Sequence, residues 1–332
     1  MTVKCNQMKV IVIGLGSMGK RRIRLIRKLN KKIEIIGVDT NEERRKNCKE
    51  EYEIDAFEWL TEVLETTRFD CAFVCASPLS HSAIITQCLK LRLHVFTELN
   101  LVDDGYDENI FLAKQNKLVL FMSSTFLYRE EIKKIKTLVQ QVSYPLNYTY
   151  HVGQYLPDWH PWENYKDFFV GNKRSNGCRE IFAIELPWLV DVFGDIVKID
   201  VVKSKMSSLN IDYDDNYLVL IQHKTGHKGT LVVDVVSRKA IRNLEVYGEE
   251  LYLYWDGTPT GLKVYDIEKN SDIRIHLYEK IDQLDNYSSF VVENAYSSEI
   301  ISFFQAVTEG TALPYNFEQD KAILEIIDMI EA

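Results

Sequence analysis

The chain has 332 residues, 46% hydrophobic and 27% charged, with 15 glycines, 7 prolines and a formal net charge of −9. These values exclude a disordered or fibrous protein, and the acidic balance argues against a general nucleic-acid binder. No apolar run approaches the roughly 18–20 residues that cross a bilayer, so no membrane partner is expected. At roughly 100–200 residues per domain the length points to two domains.

The first segments alternate short apolar runs with longer stretches of helical spacing. The runs are Lys9–Ile13, Ile33–Val38, Cys71–Cys75, His94–Thr97 and Val119–Met122. Short buried strands alternating with helices predict a parallel sheet covered on both faces, an α/β doubly wound (Rossmann) domain placed at residues 1–124. The apolar run before Gly14 is only about five residues long and leads into glycines, so it reads as a strand and not as a secretory signal, with a cytoplasmic location as the default. A helical stretch at Arg129–Gln141 follows. Next come tyrosine-rich and β-branched runs: Leu146–Tyr155, Val197–Met206, Tyr217–His223, Thr230–Val236, Leu244–Tyr247, Leu251–Trp255 and Leu262–Ile267. Several alternate apolar with polar residues, which predicts a mostly antiparallel sheet with one face under helices. Two helical patterns, Tyr296–Thr308 and Glu318–Glu331, close the chain, and residues 125–332 are expected to form one α+β domain. Six cysteines are too few for a disulfide scaffold, and the Cys71/Cys75 spacing fits no common zinc pattern, so buried thiols and no metal are expected.

The sharpest motif is VIVIGLGSMGKRRI. Gly14, Gly16 and Gly19 form G-x-G-x-x-G directly after a strand and at the start of a helix, with Leu15, Ser17 and Met18 filling the turn. The first glycine permits the tight turn, the second lets backbone approach a pyrophosphate, and the third lets helix and strand pack closely. The helix amino terminus offers N–H groups and a positive dipole end to the phosphates. Asp39, 20 residues beyond Gly19 and at the end of the next strand, is placed to take the ribose hydroxyls. Its charge favours NAD over NADP, while Arg44 and Arg45 keep NADP as the alternative. Eight Lys or Arg residues between Lys20 and Lys32, with no acid, read as the solvated face of the first helix, whose buried stripe is Ile23, Ile26 and Leu29. Of these cations only Lys20, Arg21 and Arg22 stand near enough to the phosphates to assist.

The segment CASPLSHSAIITQCLKLRLHVFTELNL and the closing YSSEIISFFQAVTEGTALPYNFEQDKAILEIIDMIEA resemble the glucose-fructose oxidoreductase, inositol dehydrogenase and MocA family over nearly the whole chain. The resemblance implies an NAD(P)-binding Rossmann domain and a second domain whose large open-faced sheet serves dimer or tetramer contacts. It also implies hydride exchange with a sugar or cyclitol alcohol. It places Ala76, Ser77, Pro78 and Glu98 beside the nicotinamide end of the cofactor, with His81 capping or orienting that loop. Two departures stand out. The family's Glu-Lys-Pro reads Glu98-Leu99-Asn100, and in the second-domain helix Glu185 aligns with the usual Asp while Trp188 falls at the usual His.

Oxidising a secondary alcohol requires a base to accept the hydroxyl proton, which Leu99 and Trp188 cannot do. His160 is one candidate base, within the aromatic segment YLPDWHPWENY, where Trp162 and Tyr165 offer a sugar-stacking wall. Glu185 is the other, and as a Glu in an apolar helix it is expected to pair with Arg179 or His160 or to face a polar cleft. Arg179 suits a phosphate or carboxylate bidentately, and Lys173 and Arg174 nearby hint at a nucleotide sugar. The alternatives are a dinucleotide-binding sensor or assembly partner that lost hydride chemistry, and a reductase of an activated double bond that draws its proton from water.

Overall fold

The computed structural model describes residues 8–64, 68–159, 164–284 and 288–332. The chain divides into two compact units, one of residues up to Ser124 together with Tyr296–Leu324, the other of Thr125–Ala295 with Glu325–Ala332. The expectation that all of 125–332 forms the second domain is therefore corrected at its carboxyl end.

The first unit runs β1 (Lys9–Ile13), α1 (Ser17–Leu29), β2 (Glu34–Val38), α2 (Glu42–Tyr52), β3 (Ala56–Phe57), α3 (Leu60–Leu64), β4 (Cys71–Val74), α4 (His81–Lys90), β5 (His94–Thr97), α5 (Tyr106–Asn116) and β6 (Leu120–Met122). Its six strands are all parallel, in the order β3-β2-β1-β4-β5-β6. The order reverses between β1 and β4, the place where open α/β sheets bind ligands beyond their strand ends.

The second unit holds α6 (Glu130–Val139), β7 (Asn147–Gly153), α7 (Gly177–Phe193), β8 (Ile196–Ser204), β9 (Asn216–His223), β10 (Lys228–Asp234), β11 (Ile241–Tyr247), β12 (Tyr252–Trp255), β13 (Lys263–Asp266) and β14 (Ser271–Arg274). These eight strands form one sheet, ordered β14-β13-β12-β11-β7-β10-β9-β8, antiparallel throughout except where β7 and β10 run parallel. Alternate residues of β7, β9 and β10 are buried, among them Tyr148, Tyr150, Val219, Ile221, Leu231 and Val233, as the period-two patterning requires. On that face Tyr148 stacks on Phe193 of α7 at 4.4 Å, and the Tyr150 ring meets Trp188 edge-on at 5.3 Å. Trp188 is thus part of the core.

Two long helices close the chain, α8 (Glu293–Glu309) and α9 (Phe317–Glu331). The part of α8 after Tyr296 belongs to the first unit because its aromatic residues complete that unit's core. Phe303 makes edge contacts with Phe73, Phe96 and Phe121 on the adjacent strands β4, β5 and β6, at 5.3–5.7 Å. Burying such rings stabilises a fold by several kcal/mol each, about 3–5 on truncation to alanine. In the same unit Phe317 of α9 packs on Tyr106 at 4.6 Å.

Candidate active site

The phosphate-binding turn separates its three glycines by role. Gly14 has φ +90°, and a Cβ there would sit 2.6 Å from the Cys75 carbonyl oxygen, so the loops after β1 and β4 touch at the switch point. A Cβ on Gly19 would lie 1.9 Å from the Gly14 carbonyl oxygen, which leaves no room for any side chain. Gly16 differs. Its Cβ position meets nothing nearer than Arg44 Nη1 at 3.9 Å, and no side chain caps the α1 amino terminus that it opens. Open space over uncapped helix N–H groups suits an anion.

Asp39 is buried at the end of β2. Its Oδ2 accepts from the Leu15 N–H at 2.7 Å and its Oδ1 from the Asn41 N–H at 2.8 Å, which fixes the carboxylate beside the turn. Each oxygen keeps a lone pair for a hydroxyl donor. Arg44 reaches to 3.8 Å of Asp39 Oδ2 while more than half exposed, and Arg45 donates to the Asp39 carbonyl at 2.8 Å.

The basic face of α1 is not solvated throughout. Arg21 is buried and Arg22 wholly so, against the expectation that they flank the phosphates. Arg22 donates to Glu98 at 2.5 and 3.2 Å, to Glu299 of α8 at 2.8 Å and to Ser123 Oγ at 3.3 Å, and its guanidinium lies over the Phe96 ring at 4.5 Å. Burial opposes the charge of Arg22, but Glu98 and Glu299 hold it firmly protonated. Burial pushes Glu299 up, against the pull of Arg22. Arg22 stands three residues after Gly19 and four before Ile26, both buried, so the helical wheel carried this signal. Glu98 is thereby a carboxylate oriented by a buried arginine.

The loop after β4 is held by His81. The ring is buried, with Nε2 2.8 Å from the Ala76 carbonyl oxygen and Nδ1 2.6 Å from Asn100 Oδ1. Ser77 and Pro78 follow directly on Ala76, and Leu99 takes no part in a polar contact that the structure shows.

In the second unit Glu185 is fully buried and engaged on both oxygens. Tyr150 Oη and Trp188 Nε1 donate to Oε2, each at 2.7 Å, and Arg242 of β11 donates to Oε1 at 2.6 and 3.1 Å. Its partner is therefore Arg242, and neither Arg179 nor a polar cleft. Arg179 turns to the end of α9, with Asp328 at 2.7 Å and Glu331 as a second ion-pair partner. Tyr165 is half-buried, its hydroxyl accepting from the Asn210 N–H at 3.1 Å. Lys173 and Arg174 are exposed, and Lys173 borders a groove of about 500 Å³ where Lys203 and Lys205 face Asp212, Asp214 and Glu331. His160 and Trp162 lie outside the described residues. Among the described residues no cluster of potential metal ligands exists and no helix is long and apolar enough to cross a membrane.

Glu180, in the first turn of α7, escaped the sequence reading. A first-turn glutamate reads as a surface acid favoured by the helix dipole. Here its Oε2 is buried with no hydrogen-bond donor among the described residues, although the residue as a whole is partly exposed, and burial alone pushes its carboxyl up to about 7.

Residues 8–122 match the GFO_IDH_MocA family, described as an oxidoreductase family with an NAD-binding Rossmann fold. The match ends with the last strand of the first unit's sheet and covers about a third of the chain. Of characterised proteins, the chain is 30% identical over 138 residues to myo-inositol 2-dehydrogenase of Thermotoga maritima, a stretch of 40% of the chain and 41% of that enzyme. Beyond the matched domain, likeness of fold extends over nearly the whole length. The UDP-N-acetylglucosamine 3-dehydrogenase GnnA of Acidithiobacillus ferrooxidans superposes with a TM-score of 0.75 at 16% identity, over 98% of this chain and 96% of that one. The biliverdin reductase of Synechocystis, solved with biliverdin and NADP+, superposes with a TM-score of 0.74 at 15% identity, over 97% and 98%.

Proposed function

We propose that this chain is an NAD(P)-dependent oxidoreductase of the Gfo/Idh/MocA type that exchanges a hydride with a ring hydroxyl or ketone of a sugar derivative, with a nucleotide-linked N-acetyl sugar as the favoured substrate. The observation that carries the reading is the open space over Gly16 at an uncapped helix terminus, with Asp39 fixed beside it. The turn Gly14–Gly19 would hold the pyrophosphate, and Asp39 with Arg44 the adenosine ribose. Ala76, Ser77, Pro78 and Glu98 would meet the nicotinamide end. When bound, the cofactor supplies a carbon that accepts or gives up hydride. The names of the inositol and UDP-N-acetylglucosamine dehydrogenases support a polyol or sugar substrate.

The proton is the chain's own task. Glu185 is engaged by an arginine and two further donors, so it serves structure. His160, in the aromatic segment, is the proposed base, since an imidazole exchanges protons near neutral pH. Replacing His160 with Gln, which takes no proton, should lower kcat about a hundredfold with KM little changed. Tyr165 and Trp162 are proposed to flank the sugar. A second copy of the chain is the proposed partner, through the open face of the eight-stranded sheet.

The test is a titration with NAD and NADP followed by incubation with UDP-N-acetylglucosamine or myo-inositol, tracking absorbance of reduced nicotinamide. Turnover with either supports the reading. Tight NAD binding without turnover would establish the competing reading, a dinucleotide-binding protein without hydride chemistry, which Leu99 and the locked Glu185 favour.

A further inference from the structure

Every neighbour of the His81 ring presents an oxygen lone pair. Nε2 faces the Ala76 carbonyl at 2.8 Å, and Nδ1 faces Asn100 Oδ1 at 2.6 Å. Thr97 Oγ1, 3.4 Å from Nδ1, directs its own hydrogen to the Glu98 carbonyl. A neutral imidazole has one N–H and one bare nitrogen, and the bare nitrogen would here face an acceptor. The chain continues away from the ring. Asn100 Nδ2 donates to Tyr106 Oη at 2.9 Å, Tyr106 donates to Asp320 Oδ2 on α9, and Tyr315 donates to Asp320 Oδ1 at 2.9 Å. All these groups lie in the first unit, and His81, Thr97, Asn100, Tyr106, Tyr315 and Asp320 are buried.

We propose that this chain carries one proton shared between His81 and Asp320, and that Asp320, acting through Tyr106 and Asn100, is a positioning residue for the cofactor loop at Ala76. Hydrogen counting gives two arrangements with the same number of protons. In the first, His81 is an imidazolium donating to both Ala76 and Asn100, and Asp320 is a carboxylate accepting from both tyrosines. In the second, the proton rests on Asp320, which donates to Tyr106 Oη. Tyr106 then donates to Asn100 Oδ1, and the turned Asn100 amide donates to the bare Nδ1 of a neutral His81. No bond between heavy atoms changes, and the proton lost at one end appears at the other. The hydrogen bonds present are those of the first arrangement. Burial works against charge at both ends, lowering His81 against the pull of Asn100, Ala76 and Glu98, and raising Asp320, which the two tyrosine hydroxyls hold to about 6. Because the proton that leaves one end arrives at the other, the chain titrates as one unit. The charged group that acts on His81 is the Glu98 carboxylate, and it favours the imidazolium.

The consequence for the cofactor, which rests on the dinucleotide reading above, is a carbonyl at Ala76 held by a donor that cannot invert. Asn100, where the family's motif ends in proline, acquires a role as the link.

The experiment is nitrogen NMR on the cofactor-free protein labelled with 15N histidine, His81 being assigned by the signal lost in His81→Gln. At pH 8 the wild type is expected to show His81 with Nδ1 protonated. Asp320→Asn removes the carboxylate, and Tyr106→Phe cuts the link while leaving Asp320 in place. Either should strip that proton and weaken NAD binding about tenfold. An Nδ1 signal that is bare in the wild type, or unchanged in both variants, overturns the proposal. Altered Nδ1 signals in a protein that binds no NAD would sustain the proton chain and overturn the cofactor role.

Discussion

At the scale of single residues, Asp39 and Glu180 show how surroundings assign work to two carboxylates. Asp39 is fixed by two backbone N–H groups, which holds its charge beside the turn where the ribose hydroxyls are proposed to bind. Asp39→Ala should therefore weaken NAD binding and erase at least about tenfold, or about 1.4 kcal/mol, of any preference over NADP, measured by parallel fluorescence titrations. Glu180 has the reverse surroundings, with a buried oxygen and no donor among the described residues. Its folded value of about 7 lies above the usual 4.5, so the folded state holds more protons than the unfolded chain between those limits. Stability from this group is thus lost as pH rises through that window. Relative to wild type, Glu180→Gln should gain about 1.4 kcal/mol per pH unit from pH 4.5 to 7 and stay level outside it, read by urea unfolding at a series of pH values. A flat difference would show that Glu180 is ionised throughout.

At the scale of elements, the turn between β1 and α1 performs two tasks with three identical residues. Gly14 and Gly19 serve close packing, one at φ +90° and the other with its Cβ position only 1.9 Å from the Gly14 carbonyl oxygen. Gly16 alone of the three has open space, which is proposed to admit the pyrophosphate. Gly16→Ala should melt within a degree or two of wild type yet bind NAD at least about tenfold more weakly, because its methyl fills the space above the helix N–H groups. Gly19→Ala should fold poorly or not at all, with circular dichroism as the readout. Equal melting losses in both variants would remove the phosphate role from Gly16. The strand periods, the glycine spacing and the closing helices were legible because each is a local pattern written over a few consecutive residues. Arg22, Glu185 and Arg179 were misread for a different reason: their partners lie 76, 57 and 149 residues away along the chain. A charge with a distant partner looks the same in sequence as one facing water.

At the scale of the whole molecule, the eight-stranded sheet has one face under α7 and another that carries exposed apolar side chains. Val202 and Leu218 face one another across β8 and β9, with Leu220 two residues along, at 69%, 44% and 55% exposure. Contiguous apolar side chains in water mark an interaction surface. The wild type should sediment as a dimer or larger species, and Leu220→Lys with Val202→Lys should shift it toward monomer while leaving NAD binding unchanged, as analytical ultracentrifugation would show. A monomeric wild type would exclude this face as a self-association surface. The sequence by itself determined the doubly wound first unit, its cofactor class and the strand-rich second unit, since glycine geometry and hydrophobic period act between near neighbours. Only the tertiary structure decided that the start of the last helices completes the first unit's core. It likewise decided that Arg22 orients Glu98, that Glu185 is bound to Arg242, and that Glu180 has a buried oxygen without a donor among the described residues. Desolvation and ion pairing depend on what the fold brings to within about 4 Å, and one sequence does not carry that distance.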